Sequence, residues 1–262
     1  MTAAVRVYKL GGPALEDPGL IAPLAAELRS AAARVAVVHG GGRHIERMLR
    51  ALGIESRFVA GRRETSPAAM EVVEMILSGV VNKGLAAGLT EAGLPAAGLS
   101  GRDAGLIRAA LVADLGRVGT PEAVNAAVVR ALWQAGLVPV VSPVSVGPGG
   151  VSVNVNADEA AFALARALGA QSLVYLSDVP GVRVGEDTVD ALDAEEAARL
   201  IADGTIAGGM ALKVQVALEA AKGGIEEVVV AGKERLTAGF PGTRIVARDR
   251  AAAVARGRSA RA

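Results

Sequence analysis

Arg34-Val35-Ala36-Val37-Val38-His39-Gly40-Gly41-Gly42 decides the class of fold. A valine-rich run reads as a buried strand, the glycines as a tight turn, and the apolar spacing over Arg43–Leu52 as a helix. The same order occurs upstream, where the expected strand Ala4–Lys9 runs into Lys9-Leu10-Gly11-Gly12 and a helix follows over Gly19–Ala33. Downstream, strands are expected at Pro95–Leu99, Leu137–Ser142, Ser172–Ser177 and Glu227–Ala231. Helices are expected at Pro67–Ala92, Pro121–Gln134, Ala157–Leu168, Ala194–Asp203 and Gly209–Lys222. Ala157, Ala160, Ala161 and Leu164, for example, fall on one helical face. Thr120 before Pro121, and Asp193 before Ala-Glu-Glu, read as helix N-caps. Strands alternating with helices imply an α/β protein built on a parallel sheet. The strand, glycine loop and helix order restarts near residue 170, which suggests a boundary there. No internal repeat stands out.

Composition narrows the function. The chain has 262 residues, 52% of them hydrophobic but only 2% aromatic, a formal net charge of +1 and no cysteine. An apolar share of that size excludes a disordered chain. The charge-free stretch from Trp133 to Ala157 carries Pro139, Pro143, Pro148 and four glycines, which argues against a spanning helix. The first residues lack the apolar core of a signal peptide. Without cysteine there are no disulfides, thiolate metal sites or thiol nucleophiles, and His39 and His44 alone make no histidine-rich metal centre. Near-neutral charge and few aromatic residues disfavour nucleic acid. Arg248, Arg250, Arg256, Arg258 and Arg261 make a basic tail that reads as a solvated terminus rather than an anion dock. A cytosolic enzyme or small-molecule binder remains.

In open parallel sheets, ligands bind at the carboxyl ends of strands. Three glycine turns suit such a place: Lys9-Leu10-Gly11-Gly12, His39-Gly40-Gly41-Gly42 and Gly208-Gly209-Met210-Ala211-Leu212-Lys213. Two of them bring a lysine, as expected where phosphate oxygens are held and neutralised. Neither a P-loop nor a G-x-G-x-x-G fingerprint is present. The HGGG sequence could serve as a hydrolase oxyanion loop, but Gly98-Leu99-Ser100-Gly101-Arg102 is no nucleophile elbow and no histidine follows His44, so a Ser-His-Asp hydrolase is excluded. His39 is expected to bond to backbone at its strand end. Asn154-Val155-Asn156-Ala157-Asp158 places Asp158 in the first turn of a helix, where it could hold two ammonium groups. Arg62-Arg63 could fork onto a substrate carboxylate, or form a solvated basic loop.

In their order along the chain, these motifs resemble those of the N-acetylglutamate kinases of the amino acid kinase superfamily. The resemblance spans nearly the whole chain. It also takes in Gly61-x-Arg63-x-Thr65, Gly98-Leu99-Ser100-Gly101-Arg102-Asp103, Asp114-Leu115-Gly116-Arg117-Val118-Gly119, Leu176-Ser177-Asp178-Val179-Pro180-Gly181-Val182 and Gly209-Met210-Ala211-Leu212-Lys213-Val214. It implies a three-layer αβα sandwich with a mainly parallel central sheet and two lobes. Residues 1–170 would bind the acyl amino acid and dimerise, and residues 171–262 would bind ATP. The implied enzyme is an ATP-dependent phosphotransferase of arginine biosynthesis. It would pass the γ-phosphoryl group to the side-chain carboxylate of N-acetyl-L-glutamate, giving N-acetyl-L-glutamyl 5-phosphate. By the same resemblance, Lys9 and Lys213 stabilise the transition state and Asp158 orients them. Gly41, Gly42, Arg63 and Asn154 bind substrate. Gly11, Gly12, Asp178, Val179, Pro180, Gly181, Val182, Arg183, Thr205, Ile206 and Ala207 bind nucleotide. Mg²⁺ would be held mainly through ATP phosphates, without a named protein ligand. A carboxylate acceptor is already ionised at neutral pH, so charge neutralisation matters more than a general base.

The resemblance has departures. Arg62 and Glu64 replace residues that are usually apolar, and Arg43 stands where proline is common. Arginine-inhibited relatives carry an N-terminal helix that builds hexamers. The start on a strand points instead to an arginine-insensitive, cytoplasmic homodimer with neither nucleic-acid nor membrane partners. The main alternative is a kinase of aminoadipate or glutamate linked to an acidic carrier protein, in lysine or ornithine biosynthesis. Arg43, Arg47, Arg50, Arg62 and Arg63 could dock such a carrier, but the intact Asn-x-Asn-Ala-Asp motif favours the free substrate. A second alternative is a non-catalytic binding protein on the same fold. The complete Lys9, Asp158 and Lys213 set weighs against it.

Overall fold

The computed structural model describes residues 3–12, 15–238 and 241–247. The main sheet has eight strands: β1 (Val5–Leu10), β2 (Arg34–His39), β3 (Ala96–Ser100), β4 (Val138–Ser142), β5 (Ser172–Leu176), β6 (Ala191–Asp193), β7 (Glu227–Ala231) and β8 (Thr243–Val246). Their order across the sheet is β6-β8-β7-β5-β1-β2-β4-β3. Every neighbouring pair is parallel except β7 with β8.

The helices that cover this sheet are α1 (Ile21–Ser30), α2 (Gly42–Ala51), α3 (Pro67–Glu91), α4 (Ala127–Gln134), α5 (Ala157–Leu168), α6 (Ala194–Ala202) and α7 (Gly208–Lys222). Because strand side chains alternate, the sheet builds two cores. Val5, Val7, Ala36, Val38, Leu173 and Tyr175 pack with Leu164 of α5, Leu200 of α6 and Val214 of α7. Tyr8, Leu10, Val35, Val37, Val174 and Leu176 pack on the opposite face with Leu24 and Leu28 of α1 and Leu85 and Leu89 of α3. The result is a three-layer αβα sandwich with a mainly parallel sheet. Lys9 continues the Val5, Val7 series, so it lies on the face occupied by α5 and α7.

The six expected strands form, with bounds moved by at most one residue at either end. Asp193 caps α6 through its Oδ1, which accepts from the Glu195 and Glu196 N–H groups at 2.9 Å. The expected helix Pro121–Gln134 needs correction. Helix α4 begins only at Ala127, and Thr120 and Pro121 lie in a strand, Val118–Val124, so Thr120 is no cap. Pro121 is tolerated there because the pairing with Ile107–Leu111 shifts register between Arg108 and Ala109. These two strands close a small barrel with Val144–Val146 and Ser152–Val155. The last barrel strand leads straight into α5, which fixes Asn154 beside the start of that helix.

Helix α3 is π-helical from Met75 to Val81. It is long and apolar enough to cross a membrane by length and composition, yet half of its most apolar window is buried within the protein. Met70, Val73 and Leu77 pack with Ile45 and Leu49 of α2. The arginine tail, Arg248 to Arg261, lies outside the described residues.

Candidate active site

The carboxyl ends of β1, β2 and β5 open into a cleft of about 750 Å³. Lys9, near the end of β1, and Asp158, in the first turn of α5, meet there with Lys213 of α7. The Lys9 Nζ stands 2.8 Å from Asp158 Oδ1, and the Lys213 Nζ donates to both Asp158 oxygens at 3.0 Å. Lys9 and Lys213 are 7% exposed and Asp158 6%. Burial alone would raise the Asp158 pKa, but the two ammonium groups outweigh it and hold it at about 2. Burial, and then the like charge of Lys9, bring Lys213 down to about 8. At neutral pH the trio therefore keeps an excess positive charge at the cleft floor. Tyr175, opposite Lys9 in the β1–β5 register, places its ring 5.6 Å from the Lys213 ammonium.

Two helix N-termini add to this field. Helices α2 and α7 begin without a side-chain cap, so their first N–H groups remain available to an anion. Gly42 of α2, and Gly209 and Met210 of α7, line the cleft. By contrast, Asn156 caps α5, its Oδ1 accepting from the Asp158 N–H at 2.8 Å. Gly41 has φ of +155°, and a Cβ there would stand 2.7 Å from Leu77, so only glycine lets α2 start this close to α3.

A smaller cavity of about 150 Å³ adjoins the cleft, lined by Gly40, Gly41, Gly42, Arg63 and Asn154 among others. Arg63 is buried with its guanidinium 4.6 Å from the Phe58 ring centroid. It donates to Glu46 Oε2 at 2.6 Å, to Ser56 Oγ and to the Gly42 carbonyl at 3.2 Å. Of its five donors, the Nε–H and one Nη2–H remain uncommitted among the described residues. Asn154 Nδ2 donates to Thr65 Oγ1 at 3.1 Å.

The structure thus gathers Lys9, Asp158, Lys213, Gly11, Gly12, Gly42, Arg63, Asp178 and Val179 around one cleft, with Gly41 and Asn154 beside it. The remaining nucleotide candidates are placed differently. Val182 and Ile206 are core residues. The Val182 N–H bonds to Thr243 Oγ1, and the Ile206 N–H to the Leu200 carbonyl. Gly181 is buried against Thr188 and Thr243. Pro180 is half-buried, while exposed Arg183 donates to the Glu186 carbonyl. Thr205 and Ala207 are exposed on the approach to α7.

His39 is fully buried and donates from Nδ1 to its neighbour's Gly40 carbonyl, while Nε2 accepts from Asn82. Burial lowers its pKa to about 4, so it is neutral and structural at pH 7. Sequence reasoning missed Phe58, Glu46, Ser56, Tyr175 and Glu159. Only Tyr175 left a usable signal, because strand parity puts it on the Lys9 face.

A three-layer α/β sandwich with a buried, positively charged centre at the carboxyl ends of its strands is suited to anionic ligands. The chain belongs to the Amino acid kinase family, whose model matches residues 4–232. It is 47% identical over 237 residues to the acetylglutamate kinase of Rubrobacter xylanophilus, covering 89% of this chain and 90% of that one. It is 44% identical over 234 residues to the acetylglutamate kinase of a Roseiflexus species, covering 88% and 89%. Among solved structures, a Streptococcus mutans protein matches with a TM-score of 0.85 at 25% identity, over 92% of this chain and 98% of that one.

Proposed function

We propose that this chain transfers the γ-phosphoryl group of ATP to the side-chain carboxylate of N-acetyl-L-glutamate, the reaction for which its acetylglutamate kinase relatives are named. The observation that carries this reading is the buried centre of two lysines on one aspartate at the floor of the cleft. The acceptor carboxylate oxygen attacks phosphorus, the bond to the β-phosphate bridging oxygen breaks, and ADP leaves. Both reactants are anions, so the barrier is largely charge repulsion. Lys9 and Lys213 sit where they can meet the transferring oxygens from two sides. Asp158 holds them together while cancelling only one of their two charges, and the N–H groups at the starts of α2 and α7 complete the cradle. No side chain is needed as a base, because the nucleophile is ionised already.

Arg63 is the candidate anchor for the acyl substrate's remaining carboxylate, with Gly41, Gly42 and Asn154 shaping its pocket. Asp178 and Val179 on the cleft lining fit an ATP lobe beyond about residue 170, while Gly11 and Gly12 reach the same cleft from the acyl lobe. Among the described residues, no three carboxylate or imidazole groups gather as a metal nest. A Mg²⁺ ion fits this donor set as a companion of ATP, with Asp178, whose Oδ1 accepts from Ser177 Oγ at 3.1 Å, the carboxylate on the cleft lining that could meet it. When bound it would neutralise phosphate charge. The exposed Met75 and Val80 on α3 offer an apolar face for a homodimer, and a cytoplasmic setting suits the metabolite substrates.

For carrier docking the arginines divide: Arg62 and Arg63 are committed to Glu159 and Glu46, whereas Arg43, Arg47 and Arg50 are exposed on α2, with Arg43 beside Glu16 and Arg50 3.9 Å from Glu46. The intact Asn154-Val155-Asn156-Ala157-Asp158 motif keeps the free substrate as the preferred reading. Incubation with MgATP and N-acetyl-L-glutamate should yield acyl phosphate trapped as the hydroxamate. Turnover of carrier-linked aminoadipate alone would reverse the assignment.

A further inference from the structure

Arg62 and Glu159 are the sequence neighbours of Arg63 and Asp158, and the structure joins them. Residues Phe58–Val59 and Arg62–Arg63 form a two-stranded hairpin, with Val59 opposite Arg62 and Phe58 opposite Arg63. Side chains alternate along a strand, so the adjacent arginines part company. Arg63 turns toward Glu46 and the α2 loop. Arg62 turns toward α5, donating from Nη2 to Glu159 Oε1 at 2.5 Å and from Nε to Oε2 at 3.3 Å.

The pair is better built than a surface ion pair. Its side chains are 24% and 13% exposed. The fork is bidentate, which fixes direction as well as distance. Glu159 lies in the first turn of α5, where the helix dipole favours a carboxylate. The hairpin is also seated on α7: Gly61 has φ of +78°, and a Cβ on it would come 3.0 Å from the side chain of Leu212, the residue before Lys213. One hairpin therefore touches the immediate neighbours of both Asp158 and Lys213 while carrying Arg63.

We propose that the Arg62–Glu159 pair is a positioning latch for the acyl substrate. It holds the strand bearing Arg63 against the helical turn bearing Asp158, and so sets the distance between the anchor for one end of the substrate and the charges that meet the other. The inference rests on the acetylglutamate kinase reading. Arg62 also lines the smaller cavity, but its guanidinium is committed to Glu159, so its part is to position Arg63 rather than to meet the transferring group. An unlatched hairpin must be ordered afresh each time substrate binds. That cost falls equally on the ground and transition states, so it raises KM rather than lowering kcat.

The test is steady-state kinetics of Arg62→Leu, Glu159→Gln and the double variant, each substrate varied at saturation of the other. Expected is a rise of about fivefold to twentyfold in KM for N-acetyl-L-glutamate, with kcat and the KM for ATP within about twofold of wild type. The double variant should match the single variants rather than multiply them, since all break one interaction. Arg62→Lys should recover part of the loss. An unchanged acetylglutamate KM, an equal rise in both KM values, or multiplicative losses would overturn the latch. If one variant fails to fold, the other carries the same test. Wild-type protein that makes no acyl phosphate from acetylglutamate would overturn the functional reading itself, a result separable from a working enzyme with indifferent variants.

Discussion

At the cleft floor two lysines share one carboxylate, whereas along the hairpin wall Arg62 has Glu159 and Arg63 has Glu46. Both networks are ionic; the floor is buried, the wall only in part, since Glu46 is 38% exposed and also meets exposed Arg50 at 3.9 Å, and the two differ in how their buried charges balance. An ion pair with equal charges can be satisfied within the protein, so it serves to fix geometry. A buried centre with a cation to spare is unsatisfied until an anion arrives. Burial first, and the like charge of Lys9 second, lower the Lys213 pKa, so its charge is held against both. Under the proposed function, the floor would carry the chemistry and the wall the placement.

Removing the surplus should have the largest effect. Lys213→Ala is expected to lower kcat about a thousandfold, the scale for losing one preorganised charge contact to a transition state, with a smaller change in ATP affinity. Equal losses in kcat and nucleotide binding would erase the distinction between floor and wall. The next effect belongs to the wall: Arg63→Leu should raise the KM for N-acetyl-L-glutamate about a hundredfold, as expected when a buried charged partner is lost, while leaving the KM for ATP nearly constant. A kcat loss as deep as that of Lys213→Ala would make Arg63 part of the chemistry. The gentlest probe is pH. Lys213 carries its charge below about 8 and loses it as pH rises through that value. Accordingly kcat/KM should fall above pH 8, approaching tenfold per unit, and Lys213→Arg should flatten that limb at lower activity. A profile level to pH 10 would show that the surplus charge is not what drives the rate.

The two regions were also unequally legible in the sequence. The strands β1, β2, β4 and β7 are short valine-rich runs almost wholly buried, so composition locates them within a residue, whereas β6 and β8 left no such signal and went unread. The floor could be read because each member lies beside a glycine turn or a helix start, where function in such sheets is confined. The wall could not. Arg62 and Glu159 are 97 positions apart, and nothing local to either names the other. The same limit hid the small barrel, whose strands are three to seven residues long and carry glycine, proline and alanine. Thr120-Pro121 has the chemistry of a helix start, and only its long-range pairing with Ala109 and Ala110 makes it strand. Tertiary contacts overrode a sound local signal there.

The place of β1 in the sheet has a bearing on how the protein is made. It is the first strand in chain order, yet it sits in the interior, pairing with β2 on one side and with β5 on the other. Its second edge must wait for Ser172–Leu176 to be synthesised. Lys9 waits longer still, since Lys213 follows only after that. Lys213 is the last of the three charges in chain order, so the two-lysine centre is complete only once the long-range pairing of this sheet is in place, and pairing of that kind slows folding.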